Sequence, residues 1–348
     1  MRRLPVFLVI DVSESMAGDN LRSLQQGMER LVKTLRTDPY ALETAYLSVI
    51  AFAGRAKTLT PLVELGAFYP PRLPLGSGTS IGEALTHLMR EVDLHVKRIT
   101  AEQKGDFKPL AFLTTDGKST DDPSAAVERW KKDYASKVNL VAIGIGPYAA
   151  LEKLAGITPH VLRIENATDQ DFKKFIDWIS ASVSSQSRSV GTGEPSRVNL
   201  AKVDDSVMTK IESIAKATAV DEDYVIIVGK CQTTQLPYLM KYERFHQTVE
   251  TRDLRVAADT YQLVGVYPAE RDFEDMSDPR ANARTINTES LIGAPGCPHC
   301  GNTYAFAACD CGQILCVRGM GRATCPSCER ELNMGHAAEG FDVARSRG

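Results

Sequence analysis

Apolar positions in the first half of the chain follow two alternating periods. Pro5–Ile10, Ala45–Phe52, Pro109–Leu113, Val138–Ile145 and Val161–Ile164 are short, nearly continuous apolar runs. Such runs predict strands covered on both faces, as in a parallel sheet. Ala56–Leu65 is a weaker strand candidate. Between the runs the period lengthens. Leu21, Leu24, Met28, Leu31 and Leu35 step by three and four residues and so share one helix face. Ile81, Leu85, Leu88 and Val92 do the same, as do Phe172, Ile176, Ile179 and Val183 behind Thr168-Asp169. Asp122-Pro123 opens a further helix that turns Val127 and Trp130 inward. Strand–helix alternation predicts a doubly wound, mostly parallel α/β sheet with helices on both faces.

The pattern then breaks. Residues 182–197 are rich in Ser and Gly with almost nothing to bury, which predicts a solvated linker, here bounded as 185–199. Val207, Ile211 and Ile214 hint at one helix. Tyr224–Val228, Tyr238–Tyr242 and Tyr261–Tyr267 read as strands by their β-branched and aromatic content. The expected organisation is therefore an α/β domain over 1–184, the linker, a small β-rich or α+β domain over 200–290, a cysteine-rich module over 291–336 and a flexible tail over 337–348.

Five small polar residues stand where the α/β half would bind a ligand. Asp11, Ser13 and Ser15 follow the first strand, Thr79 lies in a glycine-rich loop before a helix, and Asp116 follows the third long strand. Open α/β sheets bind ligands at the carboxyl ends of their strands. Three hydroxyls and two carboxylates are hard oxygen donors suited to Mg²⁺ or Mn²⁺. With few carboxylates bound directly, the cation stays electrophilic and keeps a position open for an Asp or Glu of a partner. Asp11-x-Ser13-x-Ser15-Met16, Gly78-Thr79 and Thr115-Asp116-Gly117 resemble the metal-ion-dependent adhesion site of von Willebrand factor A (VWA) domains. That resemblance spans roughly residues 4–184 and implies a Rossmann-like fold. Glu14 departs from the pattern, either facing solvent or adding negative charge at the rim.

The chain has eight cysteines, and seven of them fall between Cys297 and Cys328. Cys297-Pro-His-Cys300 and Cys325-Pro-Ser-Cys328 are two Cys-x-x-Cys knuckles, which together predict one closed Zn²⁺ site. Cys309, Cys311 and Cys316 lie between them. They read as inert thiols, as part of a second zinc site completed by His299 or His336, or as a replacement for one knuckle cysteine. Cys231 stands alone and reads as a small buried hydrophobe.

Composition narrows the partners. The 348 residues are 43% hydrophobic and 24% charged, with a formal charge of −3. From Leu291 onward five arginines and no lysine face five carboxylates, which argues against nucleic acid. No apolar run reaches the roughly 18 residues of a membrane span, and Met1-Arg2-Arg3 with its short apolar run lacks a small-residue cleavage site. A cytoplasmic protein without a membrane partner is expected. Asp11 is followed by Ser13, so the second aspartate of an Asp-x-Asp phosphatase is missing. The expectation is a binding protein rather than an enzyme. The rival readings are a metal-dependent hydrolase or phosphotransferase on the α/β half, and a zinc ribbon that binds nucleic acid.

Gly229-Lys-Cys231, Pro237-Tyr-Leu-Met-Lys-Tyr-Glu243, Gly265-Val-Tyr-Pro268 and Leu291-Ile-Gly-Ala-Pro-Gly-Cys-Pro-His-Cys-Gly301, behind such an N-terminal domain, resemble the tellurium-resistance-associated TerY-like family. The resemblance covers nearly the whole chain. It implies a bacterial scaffold or substrate in a phosphorylation-linked stress response, encoded beside a Ser/Thr kinase and a metal-dependent protein phosphatase.

Overall fold

The computed structural model describes residues 2–100, 104–116, 119–146, 154–164, 168–191, 200–201, 208–210, 224–251, 254–278, 284–335 and 340–346. Two compact units emerge, one of Met1–Leu73 with Thr79–Ala219, the other of Pro74–Gly78 with Val220–Gly348.

The first unit is built on strands β1 (Leu4–Asp11), β2 (Ala45–Phe52), β3 (Ala56–Glu64), β4 (Leu110–Thr115), β5 (Asn139–Ile145), β6 (Val161–Ile164) and β7 (Met208–Lys210). They lie in the order β3-β2-β1-β4-β5-β6-β7. Pairings among β2, β1, β4, β5 and β6 are parallel, while the edge strands β3 and β7 run antiparallel. Strand β1 is buried along its whole length, as expected of a central strand with helices on both sides.

Successive side chains of β1 serve opposite layers. Phe7 and Val9 join a core with Ile81, Leu85 and Leu88 of helix α3 and Trp130 of α4. Leu8 and Ile10 face Leu24, Met28 and Leu31 of α1 and Phe175, Ile176 and Ile179 of α5. The helices are α1 (Asp19–Leu35), α2 (Pro39–Thr44), α3 (Ile81–His95), α4 (Ser124–Asp133) and α5 (Asp169–Gly191). Gly27 lets α1 approach α5, since a Cβ there would lie 2.7 Å from Ile176 Cγ1. Helix α5 opens with a reciprocal cap, in which Asp171 N–H donates to Thr168 Oγ1 and Thr168 N–H to Asp171 Oδ2, each at 3.2 Å. Pro123 is itself the N-cap of α4, one residue later than the sequence suggests, and Asp122 Oδ1 accepts from Ser124 N–H at 3.0 Å.

The second unit carries β8 (Tyr224–Lys230), β9 (Pro237–Thr251), β10 (Leu254–Pro268), the short helix α6 (Phe273–Met276), β11 (Thr285–Asn287), β12 (Leu291–Ile292), β13 (Tyr304–Ala308), β14 (Ile314–Val317), β15 (Gly321–Thr324), β16 (Glu331–Met334) and β17 (Asp342–Ala344). Its main sheet runs β12-β10-β9-β8-β14-β13. The pairs β11–β17 and β15–β16 form separate two-stranded ribbons.

Three expected boundaries move. Helix α5 continues to Gly191, with Ser182, Gln186 and Ser187 buried, so the linker loses its first part. The β-rich domain and the cysteine-rich module are one body, because Val225, Tyr238 and Met240 share a core with Cys297, Ala305 and Cys316. The tail is not loose in its described part. Strand β17 pairs with β11, and Ser346 N–H donates to Ile226 O at 2.8 Å. The helix hinted at by Val207, Ile211 and Ile214 lies outside the described residues, next to strand β7.

Candidate metal centres

Strand order reverses direction between β1 and β4, and the crevice at such a point is where open sheets bind ligands. Asp11 ends β1 there, fully buried. Its Oδ1 accepts from Ser13 N–H at 2.8 Å, and its Oδ2 accepts from Thr115 Oγ1. These bonds turn the chain over the strand end. Ser13 Oγ then lies 3.0 Å from Ser15 Oγ, and Ser15 Oγ donates to Asp116 Oδ1 at 2.8 Å. Four of the five sequence candidates thus form one bonded network.

Thr79 reaches the same strand ends through backbone ties. Ser80 N–H donates to the carbonyl of Ala53, just past β2, at 2.8 Å. Thr79 N–H donates to Thr120 Oγ1 at 2.9 Å, and Thr120 N–H returns to Thr79 O at 2.7 Å. The Thr79 hydroxyl itself is buried and has no hydrogen-bond partner among the described residues. A buried unsatisfied hydroxyl costs about 1–3 kcal/mol. Burial, and then the neighbouring Asp116 charge, pushes the Asp11 carboxyl well above the usual carboxylate range. An orphaned hydroxyl and two mutually repelling carboxylates, all at these strand ends, mark a site short of positive charge. Hard oxygen donors suit a divalent metal ion there.

Glu14 is fully buried, which corrects the solvent-facing alternative. It begins a short 3-10 turn, Glu14–Met16, whose carbonyl accepts from Ala17 N–H at 3.1 Å. The turn draws the side chain inward.

The second unit gathers its thiols into two groups. Cys231, Cys297, Cys300 and Cys316 form one, and Cys309, Cys311, Cys325 and Cys328 the other. Within the first, Cys300–Cys316 is 3.6 Å and Cys231–Cys316 is 3.8 Å between sulfurs. Within the second, Cys309–Cys328 and Cys311–Cys325 are each 3.7 Å. A Zn–S bond of about 2.3 Å gives a tetrahedron edge of about 3.8 Å, whereas a disulfide brings its sulfurs to about 2.05 Å. The spacing is that of thiolates around a tetrahedral ion.

Three of the turns that present these thiols share one bonding pattern. The amides of Cys231, Cys297 and Cys325 donate to the carbonyls of Leu236, Asn302 and Arg330, and the amides of Gln235, Gly301 and Glu329 donate back to the three cysteine carbonyls. The returning residue has positive φ each time, 60° at Gln235, 72° at Gly301 and 60° at Glu329. Amides also point at sulfur: Thr234 N–H at Cys231 Sγ (3.4 Å) and Ser327 N–H at Cys325 Sγ (3.5 Å). Burial raises the Cys231 thiol, but donation from Thr234 and Thr233 outweighs it and draws the pKa down.

Comparison with known proteins agrees with both centres. Residues 6–178 match the von Willebrand factor type A domain model, and residues 221–348 match the TerY-C metal binding domain model. The chain is a TerY-like VWA protein with a C-terminal metal-binding domain. No curated protein sequence matches it. Solved structures that resemble it include a mussel byssus proximal thread matrix protein with a zinc-occupied MIDAS motif, at 21% identity, TM-score 0.38, over 53% of this chain and 48% of that one. A VWA protein from Catenulispora acidiphila matches at 14% identity, TM-score 0.42, over 81% and 70%. BatB from Bacteroides thetaiotaomicron matches at 20%, TM-score 0.35, over 51% and 97%. The chain spans about half the length of the mussel protein.

Within the TerY-C domain, the expected single site of Cys297, Cys300, Cys325 and Cys328 is corrected. The two knuckles go to different clusters because they sit on different sheets. The first stands beside the six-stranded sheet, where the Cys231 turn and Cys316 of β14 meet it. The second closes the β15–β16 ribbon and meets the turn between β13 and β14. Cys309, Cys311 and Cys316 are accordingly cluster members rather than inert thiols, and so is Cys231. His299 is turned elsewhere, its Nε2 2.8 Å from Pro237 O, and His336 lies outside the described residues. The signal for Cys231 was the count: eight thiols divide into two tetrahedral sets, and Cys231-Gln-Thr-Thr234 is a knuckle with threonine at its second ligand position. In the VWA domain, sequence reasoning quoted Thr115 within Thr115-Asp116-Gly117 without giving it a role, and missed Thr120, which no motif separates from an ordinary loop threonine.

Proposed function

We propose that this protein is a non-enzymatic docking module whose VWA face holds Mg²⁺ or Mn²⁺ and binds an Asp or Glu carboxylate of a partner protein. The observation that carries this reading is the Asp11–Ser13–Ser15–Asp116 network at the strand ends, together with a Thr79 hydroxyl that is buried and has no partner among the described residues. Ser13, Ser15 and Thr79 would supply neutral oxygens, while Asp11 and Asp116 would orient them and bound waters. The cation would supply the electrophile for the partner's carboxylate. VWA domains are mostly non-catalytic, which fits a scaffold. In the TerY-C domain each four-thiolate cluster would hold a structural Zn²⁺.

The family resemblance supports the finer reading of a scaffold or substrate in a cytoplasmic stress response, linked to a Ser/Thr kinase and a metal-dependent protein phosphatase. No helix among the described residues is long and apolar enough to cross a membrane. Affinity capture with and without Mg²⁺ tests the docking reading. Ser13→Ala with Ser15→Ala should release the partner as fully as leaving out Mg²⁺. A partner retained under both conditions would overturn it. Chelator alone decides less, because it also strips thiolate-bound metal.

A further inference from the structure

The two thiol clusters differ in how they meet solvent. Cys231 and Cys316 are fully buried, Cys297 nearly so and Cys300 half-buried, within a core that includes Tyr238, Met240 and Ala305, so no thiol of this cluster is exposed. The Tyr238 phenol donates to Ala305 O across that core. Cys316 also accepts from Gln232 N–H at 3.3 Å and Asn302 Nδ2 at 3.5 Å. The other cluster sits in a small core of Leu315, Val317 and Ala323. There Cys311 is exposed and Cys328 half-buried.

We propose that Cys309, Cys311, Cys325 and Cys328 form a hydroperoxide-sensitive metal site, while the Cys231 cluster keeps its metal as permanent structure. The proposal rests on both clusters holding zinc. Oxidation of thiolates follows their access to the oxidant. Exposed Cys311 is the thiolate a peroxide can reach. It attacks one peroxide oxygen, breaking the O–O bond, and becomes a sulfenic acid as hydroxide leaves. The Cys325 thiolate, 3.7 Å away, then attacks that sulfur and expels a second hydroxide. Two protons convert the hydroxides to water. Each sulfur gives up one electron and the peroxide takes both. The zinc, left with two thiolates, leaves for solvent. Cys309 and Cys328, also 3.7 Å apart, can repeat the step with a second peroxide.

The fold confines the consequence. This cluster joins the turn between β13 and β14 to the β15–β16 ribbon, which pairs with no other strand among the described residues. Losing its metal leaves that ribbon held only by packing on Leu315 and Val317 and by Gln232 Nε2 donating to Thr324 O at 3.1 Å, while the six-stranded sheet keeps the Cys231 cluster. The molecule would carry a ribbon that peroxide loosens.

The test uses the purified, zinc-loaded full chain. Elemental analysis first establishes the zinc content. Hydrogen peroxide is then added with a metallochromic chelator, and samples are alkylated and mapped by peptide mass spectrometry. Half the zinc should leave in a first phase at least about tenfold faster than the rest. That phase should coincide with disulfides among Cys309, Cys311, Cys325 and Cys328 and with new protease cleavage confined to residues 318–335. Joint release of both ions, earlier oxidation of Cys231 or Cys316, or no release would overturn the proposal. A starting content of one zinc sinks the two-site reading itself, and the proposal with it. Cys311→Ser should slow the first phase. If that variant binds zinc poorly, the wild-type peptide map still decides.

Discussion

Cys316 Sγ lies 3.8 Å from Cys231 Sγ, although 85 residues of chain separate them. Strands β8 and β14 run side by side and parallel, with Ile314 opposite Gly229 and Leu315 opposite Lys230. The register carries Cys316 to the turn that follows β8. A residue that looked solitary in the sequence is thereby placed in a tetrahedral group of thiols.

Zinc stoichiometry should follow that geometry. The wild-type chain is expected to bind about two Zn²⁺, one per four-thiolate cluster. Cys231→Ser should lower the content to about one, by elemental analysis after desalting. Two ions retained in the variant would mean that Cys231 is not a ligand.

Thr79→Val separates cation binding from folding. Valine keeps the shape of threonine and removes a buried hydroxyl that has no partner among the described residues. The metal-free VWA domain should therefore lose nothing, and should gain about 1 kcal/mol. The rise in melting temperature that Mg²⁺ or Mn²⁺ gives the wild type should disappear. A variant that melts lower without metal, yet still responds to it, would contradict the assignment.

Gly229→Ala probes the packing around the first thiol cluster. A Cβ there would sit 2.3 Å from Tyr238 Cζ and 2.5 Å from its hydroxyl. The ring is fully buried and tied to Ala305, so it cannot swing aside. A loss of about 1–3 kcal/mol is expected from such overpacking, read as a lower urea midpoint. An unchanged midpoint would show the ring to be mobile.

Acid should weaken the VWA domain through His87. Burial holds this imidazole below its ordinary value of 6.5, opposed by the Glu91 and Glu83 charges and aided by Arg90. Thr58 Oγ1 lies 2.7 Å from its Nε2. A depressed folded pKa means that the unfolded chain takes up the proton first. The stabilisation is thus present above about 6.5 and lost as pH falls through the folded value. His87→Gln should flatten the fall in melting temperature below pH 6.5. A fall of equal steepness in the variant would assign it to other groups.

Most of the VWA domain was legible because its physics is local. Continuous apolar runs mark β1, β2, β4 and β5, and stepped apolar residues mark α1, α3 and α5. Asp11, Ser13, Ser15 and Asp116 were legible because strand ends are where such sheets bind. The thiol pairing was not, since it depends on which strands become neighbours. Nothing in Cys325-Pro-Ser-Cys328 says that it will join Cys309 rather than Cys297. Helix α5 overran its expected end for a similar reason. Ser182 and Ser187 look solvated in sequence, but tertiary packing encloses them.

Along the chain the thiols alternate between clusters, with Cys309 and Cys311 of one arriving before Cys316 of the other. A ribosome therefore releases Cys297, Cys300, Cys309 and Cys311 while neither native group is complete. Those four could close around an ion as a wrong but well-formed cage. Cys231, in the turn between β8 and β9, joins the first pair in the native group, which Cys316 of β14 completes. The interleaved order means that neither native group can be complete before β14 has been made.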